Sequence, residues 1–306
     1  MNHATRYKRP LRCPSASSIV YLVMRNGTVR IALIALTLTF ATGVAPAGVA
    51  PAGAGARAET LTLDGIECDL IPVPKATTGG PLVPVGTGTC PGVRPGALLQ
   101  TNVGLCTFNF LFQGSDGRRY IGTAGHCILG DGPLAEDAGE RTWARGAGPV
   151  VRDADGRRVG EFAYAILQSP KDFALVRLDT GISASARMCY FGGPNGINTS
   201  TAGGPVLLHQ WGNGLLIGDL LPARTHVTPS LSNPNSVFAY GAAMLGDSGS
   251  GVISADGKAV GVLVTIGVHV NGVLNHGVIG ITRLKPQLDR AASRLRIGLS
   301  LVTATF

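Results

Sequence analysis

Residues 123–127 read Thr-Ala-Gly-His-Cys and residues 246–249 read Gly-Asp-Ser-Gly, and a chain that holds both has few folds open to it. A serine hydroxyl is a weak nucleophile at neutral pH and needs an adjacent base. His126 supplies an imidazole, and an imidazole in that role needs a buried carboxylate to hold its tautomer. Lys171-Asp172-Phe173-Ala174-Leu175-Val176 offers one, because Asp172 opens an apolar, strand-like run. Taken singly, each residue has an ordinary reading: a serine between glycines is a turn, and an aspartate ahead of a strand is a solvated charge. Asp153, Asp155 and Asp179 also compete with Asp172 for the carboxylate role. Asp179 ends the same strand-like run, and Asp153 and Asp155 fall in a turn. His209, His226, His269 and His276 sit in no motif and read as strand or loop residues.

The net charge of +8 suggests nucleic acid until it is located along the chain. Seven Lys or Arg and no acidic residue fall in residues 1–58, so the remainder is nearly neutral and has no bulk reason to seek a polyanion. That leader reads as a secretory signal. Arg25 and Arg30 precede an apolar run from Ile31 to Ala45, which Pro46 ends, and Ala56-Arg57-Ala58 fits a small-x-small cleavage site before Glu59. Met24 begins a more conventional signal than Met1 does. The alternative is a membrane anchor, but a span needs about 20 apolar residues and this run is shorter.

Beyond the leader lie Cys68, Cys90, Cys106, Cys127 and Cys189, an odd number in a chain expected to be secreted. Residues 59–100 are rich in Pro and Gly, show no strand or helix period, and read as an extended arm or propeptide. From Thr107 onward short strand-like runs alternate with turns. Ser115-Asp116-Gly117 separates Phe108–Phe112 from Tyr120–Ala124, and Asp155-Gly156 separates Val150–Arg152 from Val159–Ala165. Asp256-Gly257 separates Ser250–Ser254 from Ala259–Thr265 in the same way. Residues 186–204 are turn-rich and read as a connection between two halves. Leu284, Leu288, Ala291, Ala292 and Leu295 recur at helical spacing and predict one amphipathic helix. Asp153-Ala154-Asp155-Gly156 begins like a calcium loop but lacks the later ligands, so a hairpin is the better reading. No metal-ligand set or cofactor motif is found, and none is expected.

The order His126, Asp172, Ser248 resembles that of the chymotrypsin/trypsin superfamily of serine proteases, especially its secreted bacterial branch. The likeness covers roughly residues 100–290. Ser250-Gly251 stands where animal members have Gly-Pro, which points away from that branch. The resemblance implies an all-β fold of two six-stranded antiparallel barrels with a C-terminal helix, occupying residues 101–306. It implies His126, Asp172 and Ser248 as the catalytic residues and the N–H groups of Gly246 and Ser248 as the oxyanion hole. It also implies a Cys106–Cys127 disulfide bracing the histidine loop, and a bond from Cys189 to Cys90 or Cys68. Asp247 in animal relatives pairs with a new N-terminal amine, but no Ile/Val-Val-Gly-Gly start precedes Cys106 here. By the same likeness Ala242 floors the primary pocket, where a trypsin-like enzyme has aspartate, while Thr265 and Gly267 lie on the strand that pairs with substrate.

These readings imply a secreted, monomeric endopeptidase that cleaves after apolar or small residues, with protein or peptide as substrate and neither nucleic acid nor membrane as partner. A non-catalytic binding protein on the same fold, or an esterase-like hydrolase, are the competing classes.

Overall fold

The computed structural model describes residues 60–63, 66–70, 92–130, 138–189, 192–214, 223–270 and 273–306, the first two stretches by their backbone alone. The leader, Cys13, Cys90 and the side chain of Cys68 lie outside the described residues. None of the described helices is long and apolar enough to cross a membrane.

The first described elements form a hairpin, β1 (Thr60–Leu63) and β2 (Ile66–Leu70). This departs from the patternless arm expected over residues 59–100. Asp64-Gly65 is a hairpin turn signal between two short runs, and the Pro/Gly-rich composition of the residues that follow obscured it.

The first sheet holds β3 (Leu98–Gln100), β4 (Leu105–Thr107), β5 (Leu111–Gly114), β6 (Arg119–Thr123), β7 (Gly139–Thr142), β8 (Val150–Arg152), β9 (Arg158–Gln168) and β10 (Lys171–Leu178). A short helix, α1 (His126–Leu129), follows β6. The strand path runs β5-β6-β10-β9-β8-β3-β4, with β7 on β9. Asp116-Gly117 and Asp155-Gly156 make the predicted turns, with positive φ at both glycines. The interior is aromatic: Phe108, Phe110, Phe112, Phe162, Tyr164 and Phe173 are fully buried, and Phe112 meets Phe173 edge-on with centroids 6.4 Å apart.

The second sheet holds β11 (Gly196–Ile197), β12 (Gly203–Trp211), β13 (Ala223–Ser230), β14 (Ser236–Tyr240), β15 (Gly251–Ser254), β16 (Lys258–Val270), β17 (Val273–Asn275) and β18 (Val278–Arg283). Its path β16-β15-β12-β13-β14-β18 closes on itself through the β16–β18 pairing, which gives the expected six-stranded antiparallel barrel. A smaller aliphatic core of Leu208, Val252, Val260, Leu263, Ile279 and Ile281 fills it. The β1–β2 hairpin extends this sheet at β16, and β11 adds one parallel pairing.

The predicted helix is α2 (Leu284–Leu295), with Leu284, Leu288 and Ala291 buried. Pro286 sits in its first turn, where a missing N–H breaks no helical bond. Arg296 closes the helix in the left-handed conformation, and its N–H reaches Ala292 O and Ser293 O. Arg290 and Arg294 of α2 hold Glu140 of β7 at 2.8 and 3.1 Å, and the Tyr164 hydroxyl donates to the same carboxylate at 2.8 Å. The last strand, β19 (Leu299–Leu301), then pairs with β5 of the first sheet. The architecture is all-β, two barrel-like sheets and a C-terminal helix, as expected.

Candidate active site

His126 is the first residue of α1, immediately after β6. Gly125 allows this: a Cβ there would lie 1.9 Å from Ile166 O of β9, so only glycine lets the histidine loop approach that strand. Asp172 is the second residue of β10, which pairs with both β6 and β9, so the strand that carries it lies beside the strand that leads into His126. Asp172 grips the histidine twice. Its Oδ1 accepts the His126 backbone N–H at 3.0 Å, and its Oδ2 lies 2.6 Å from Nδ1. A carboxylate can only accept, so Nδ1 carries the hydrogen and Nε2 remains the basic nitrogen of the neutral ring. Both side chains are fully buried, where such a bond is least screened.

The competing carboxylates are used elsewhere. Asp179 pairs with Arg158 at 2.7 Å, and Asp153 Oδ1 caps the 153–157 turn by accepting the N–H groups of Asp155 and Arg157. His226 and His209 lie on β13 and β12, as read from the sequence. His226 is buried, with Nε2 2.8 Å from Gln210 Oε1, and burial pushes its pKa down to about 4.

Ser248 lies in the turn between β14 and β15 and is fully buried. The first sheet holds this turn from the side of β4. The Thr107 N–H donates to Ser248 O at 2.8 Å, and Thr107 Oγ1 donates to Gly246 O at 2.8 Å. Asn109 Nδ2 donates to Gly249 O at 3.1 Å. The residues beside His126 touch the same turn, since a Cβ on Gly249 would meet Thr123 Oγ1 at 2.2 Å and Ala124 N at 2.7 Å. Cys106 and Cys127 form the expected disulfide, which ties β4 to the histidine helix. Thr107, Asn109, Asp172 and this bridge thus fix the histidine and serine segments against a common set of strands. The sequence reading passed over Thr107 and Asn109, which carry no motif.

Gly246 has φ +97°, a conformation L side chains rarely adopt, as its place in such a turn suggested. Its N–H has no acceptor among the described residues. The turn is held from within by Asp247, whose carboxylate is fully buried, accepts the Met244 N–H at 2.7 Å and pairs with Arg224 of β13. Burial pushes the Asp247 carboxyl up, and the Arg224 guanidinium and the Met244 and Gly214 N–H groups oppose that shift. Arg224 therefore supplies the countercharge to the buried Asp247, and the sequence offered no motif to find it.

Ala242 lies exposed on the segment leading to the serine turn, while Thr265 and Gly267 are buried on β16. The Ser248 turn meets β16 directly: the Gly249 N–H donates to Leu263 O at 2.9 Å, and the Leu263 N–H to Ser250 O at 3.0 Å. Cys189 is disulfide-bonded; Cys90 and the Cys68 side chain, its expected partners, lie outside the described residues. Cys106, His126 and Cys127 cluster within 4.8 Å, but both sulfurs are committed to the disulfide and offer no thiolate to a metal. Two cavities, of about 400 and 360 Å³, lie elsewhere, and no residue of the histidine or serine segments lines either.

No family model matches the chain, and no curated protein does. Similar solved structures include the Nocardiopsis protease NAPase, 18% identical with a TM-score of 0.47, over 68% of this chain and 98% of that one. The chymotrypsin of Cellulomonas bogoriensis is 20% identical with a TM-score of 0.45, over 69% and 98%. A glutamic acid specific serine protease, described as using a histidine triad in substrate binding, is 16% identical with a TM-score of 0.45, over 70% and 100%. These three solved structures are chymotrypsin-like serine proteases.

Proposed function

We propose that this chain is a secreted serine endopeptidase. The carrying observation is the doubly bonded Asp172–His126 pair, buried beside the turn that holds Ser248. Asp172 fixes the imidazole with Nδ1–H inward, which leaves Nε2 to take the Ser248 proton. Ser248 Oγ then attacks the scissile carbonyl, and its carbon becomes tetrahedral. The oxyanion is received by the Gly246 and Ser248 N–H groups, a kind of contact worth about 3 kcal/mol per donor in other enzymes. The imidazolium, stabilised by Asp172, returns the proton to the leaving amine. Water repeats the sequence on the acyl-enzyme and frees the serine.

Substrate preference follows from Ala242: a neutral floor favours apolar or small residues over Arg and Lys at the acyl-donor position. Export is supported by the leader pattern and the Cys106–Cys127 bridge, since such bonds persist in oxidising compartments. Residues 1–58 are read as leader, 59–100 as an arm whose strands β1, β2 and β3 join the two sheets, and 101–306 as the protease domain, acting as a monomer. Casein and small-ester hydrolysis by wild type, Ser248→Ala and His126→Ala test the reading. Each single variant loses nearly all turnover, and the double variant loses little more, because the residues act as a unit. Wild-type hydrolysis by Ser248→Ala would overturn it.

A further inference from the structure

Strand β16 has two edges, and the pairings separate them. Val262 pairs with Gly251 of β15 and with Thr282 of β18, and Thr265 pairs with Leu70 of β2 and with Gly280 of β18. β15 and β2 therefore share the edge opposite β18. Along that edge the order is Gly251 at Val262, the Gly249–Ser250 bonds to Leu263, then Leu70 at Thr265, Asp69 at Gly267 and Cys68 at Val268. β2 takes up the edge where β15 leaves it for the Ser248 turn.

Direction matters as much as place. β2 runs antiparallel to β16, so it advances from Val268 towards Thr265 and brings its C-terminal end to the Ser248 turn. An extended peptide in this position presents successive carbonyls towards the serine from the acyl-donor side. The second edge of β2 is not open either, because β1 pairs with it from Leu63↔Ile66 to Thr60↔Asp69. Ser248 and His126 are both 0% exposed.

We propose that β2 is an intrachain occupant of the substrate's own edge: Ile66–Leu70 holds Thr265–Val268 in the polarity of an acyl donor, and peptide substrates bind by replacing it. The proposal rests on the endopeptidase reading for the identity of what replaces β2. It makes the N-terminal hairpin a plug whose displacement or removal precedes turnover.

The test uses the full chain, with hydrogen exchange read at residues 264–268. Those amides are protected in the wild type. Leu70→Pro and Asp69→Pro are compared, because neighbouring strand residues point their N–H groups to opposite sides, and one of the two faces β16. In at least one variant exchange at 264–268 rises at least tenfold, and hydrolysis of a short apolar peptide rises at least tenfold with it. A synthetic Thr60–Leu70 peptide with Ser at position 68, added in trans, restores protection and inhibits competitively. Fast exchange at 264–268 in the wild type would overturn the proposal whatever the variants do. So would proline variants that fold and leave exchange and hydrolysis unchanged. Opened exchange that the added peptide reverses, without any hydrolysis, would uphold the occupancy and sink the endopeptidase reading instead.

Discussion

Replacing Arg224 by Met isolates the device that holds the serine turn. Asp247 has no exposed side-chain surface, and the Arg224 side chain is only 10% exposed. Removing the guanidinium leaves a carboxylate in a site from which water is excluded, with the Met244 and Gly214 N–H groups as its remaining donors. Breaking a buried pair in this way costs about 3–5 kcal/mol. Native domains are stable by only about 5–15 kcal/mol, so the loss is a large fraction of the whole. The pH dependence follows from the cause. Without Arg224 only the Met244 and Gly214 N–H groups oppose burial, and the folded-state pKa of Asp247 rises further above its unfolded value. A carboxyl whose folded pKa is raised loses stability as pH climbs from the unfolded pKa to the folded one, with no further loss above it. Arg224→Met is therefore nearest to wild type close to pH 4 and worst at neutral pH. Arg224→Met/Asp247→Asn, which removes the charge as well, recovers part of the deficit at pH 7. Urea unfolding at several pH values reads all three. A neutral-pH loss below about 1 kcal/mol, or a loss that shrinks as pH rises, would refute the reasoning.

Gly249→Ala places a Cβ 2.2 Å from Thr123 Oγ1 and 2.7 Å from two backbone atoms, at φ +86°; unfolding measurements should show a loss of about 3 kcal/mol or more, with reduced turnover. His226, buried and depressed to about 4, contributes stability that is complete above its unfolded value of 6.5 and is lost as pH falls towards 4; that window is worth about 3 kcal/mol, and His226→Gln should remove the corresponding slope from a stability–pH curve. Asp172→Asn keeps the fold but presents the wrong imidazole tautomer, and steady-state assays should show kcat reduced by about four orders of magnitude, as in the serine protease that defines the effect. Ala242→Asp should move cleavage in a peptide library only partly towards Arg and Lys, because neighbouring loops also shape the pocket.

Much of this arrangement was legible because its signals are local. His126, Asp172 and Ser248 each sit in a short motif, Asp155-Gly156 and Asp256-Gly257 announce their hairpins, and the spacing of Leu284, Leu288 and Ala291 marks α2. What escaped is what only tertiary structure defines. Arg224 lies in Ala223–Ser230, a strand with no motif, and acquires its role through a carboxylate 23 residues away. Thr107 and Asn109 hold the serine turn across separations of 139 and 140 residues, and no periodicity encodes such bonds. The β1–β2 hairpin is a different case: Asp64-Gly65 was a readable turn, lost against the proline and glycine of the stretch that follows.

The claim that matters most is that Ser248 is a nucleophile activated by His126. Labelling with a fluorophosphonate probe, followed by peptide mapping, tests it directly and needs no knowledge of the substrate. The chain carrying the exchange-opening proline variant of β2 should take up one probe, on Ser248, and His126→Ala in that background should slow the uptake by about a thousandfold or more. An adduct on another residue, or uptake at an unchanged rate without His126, would contradict the account.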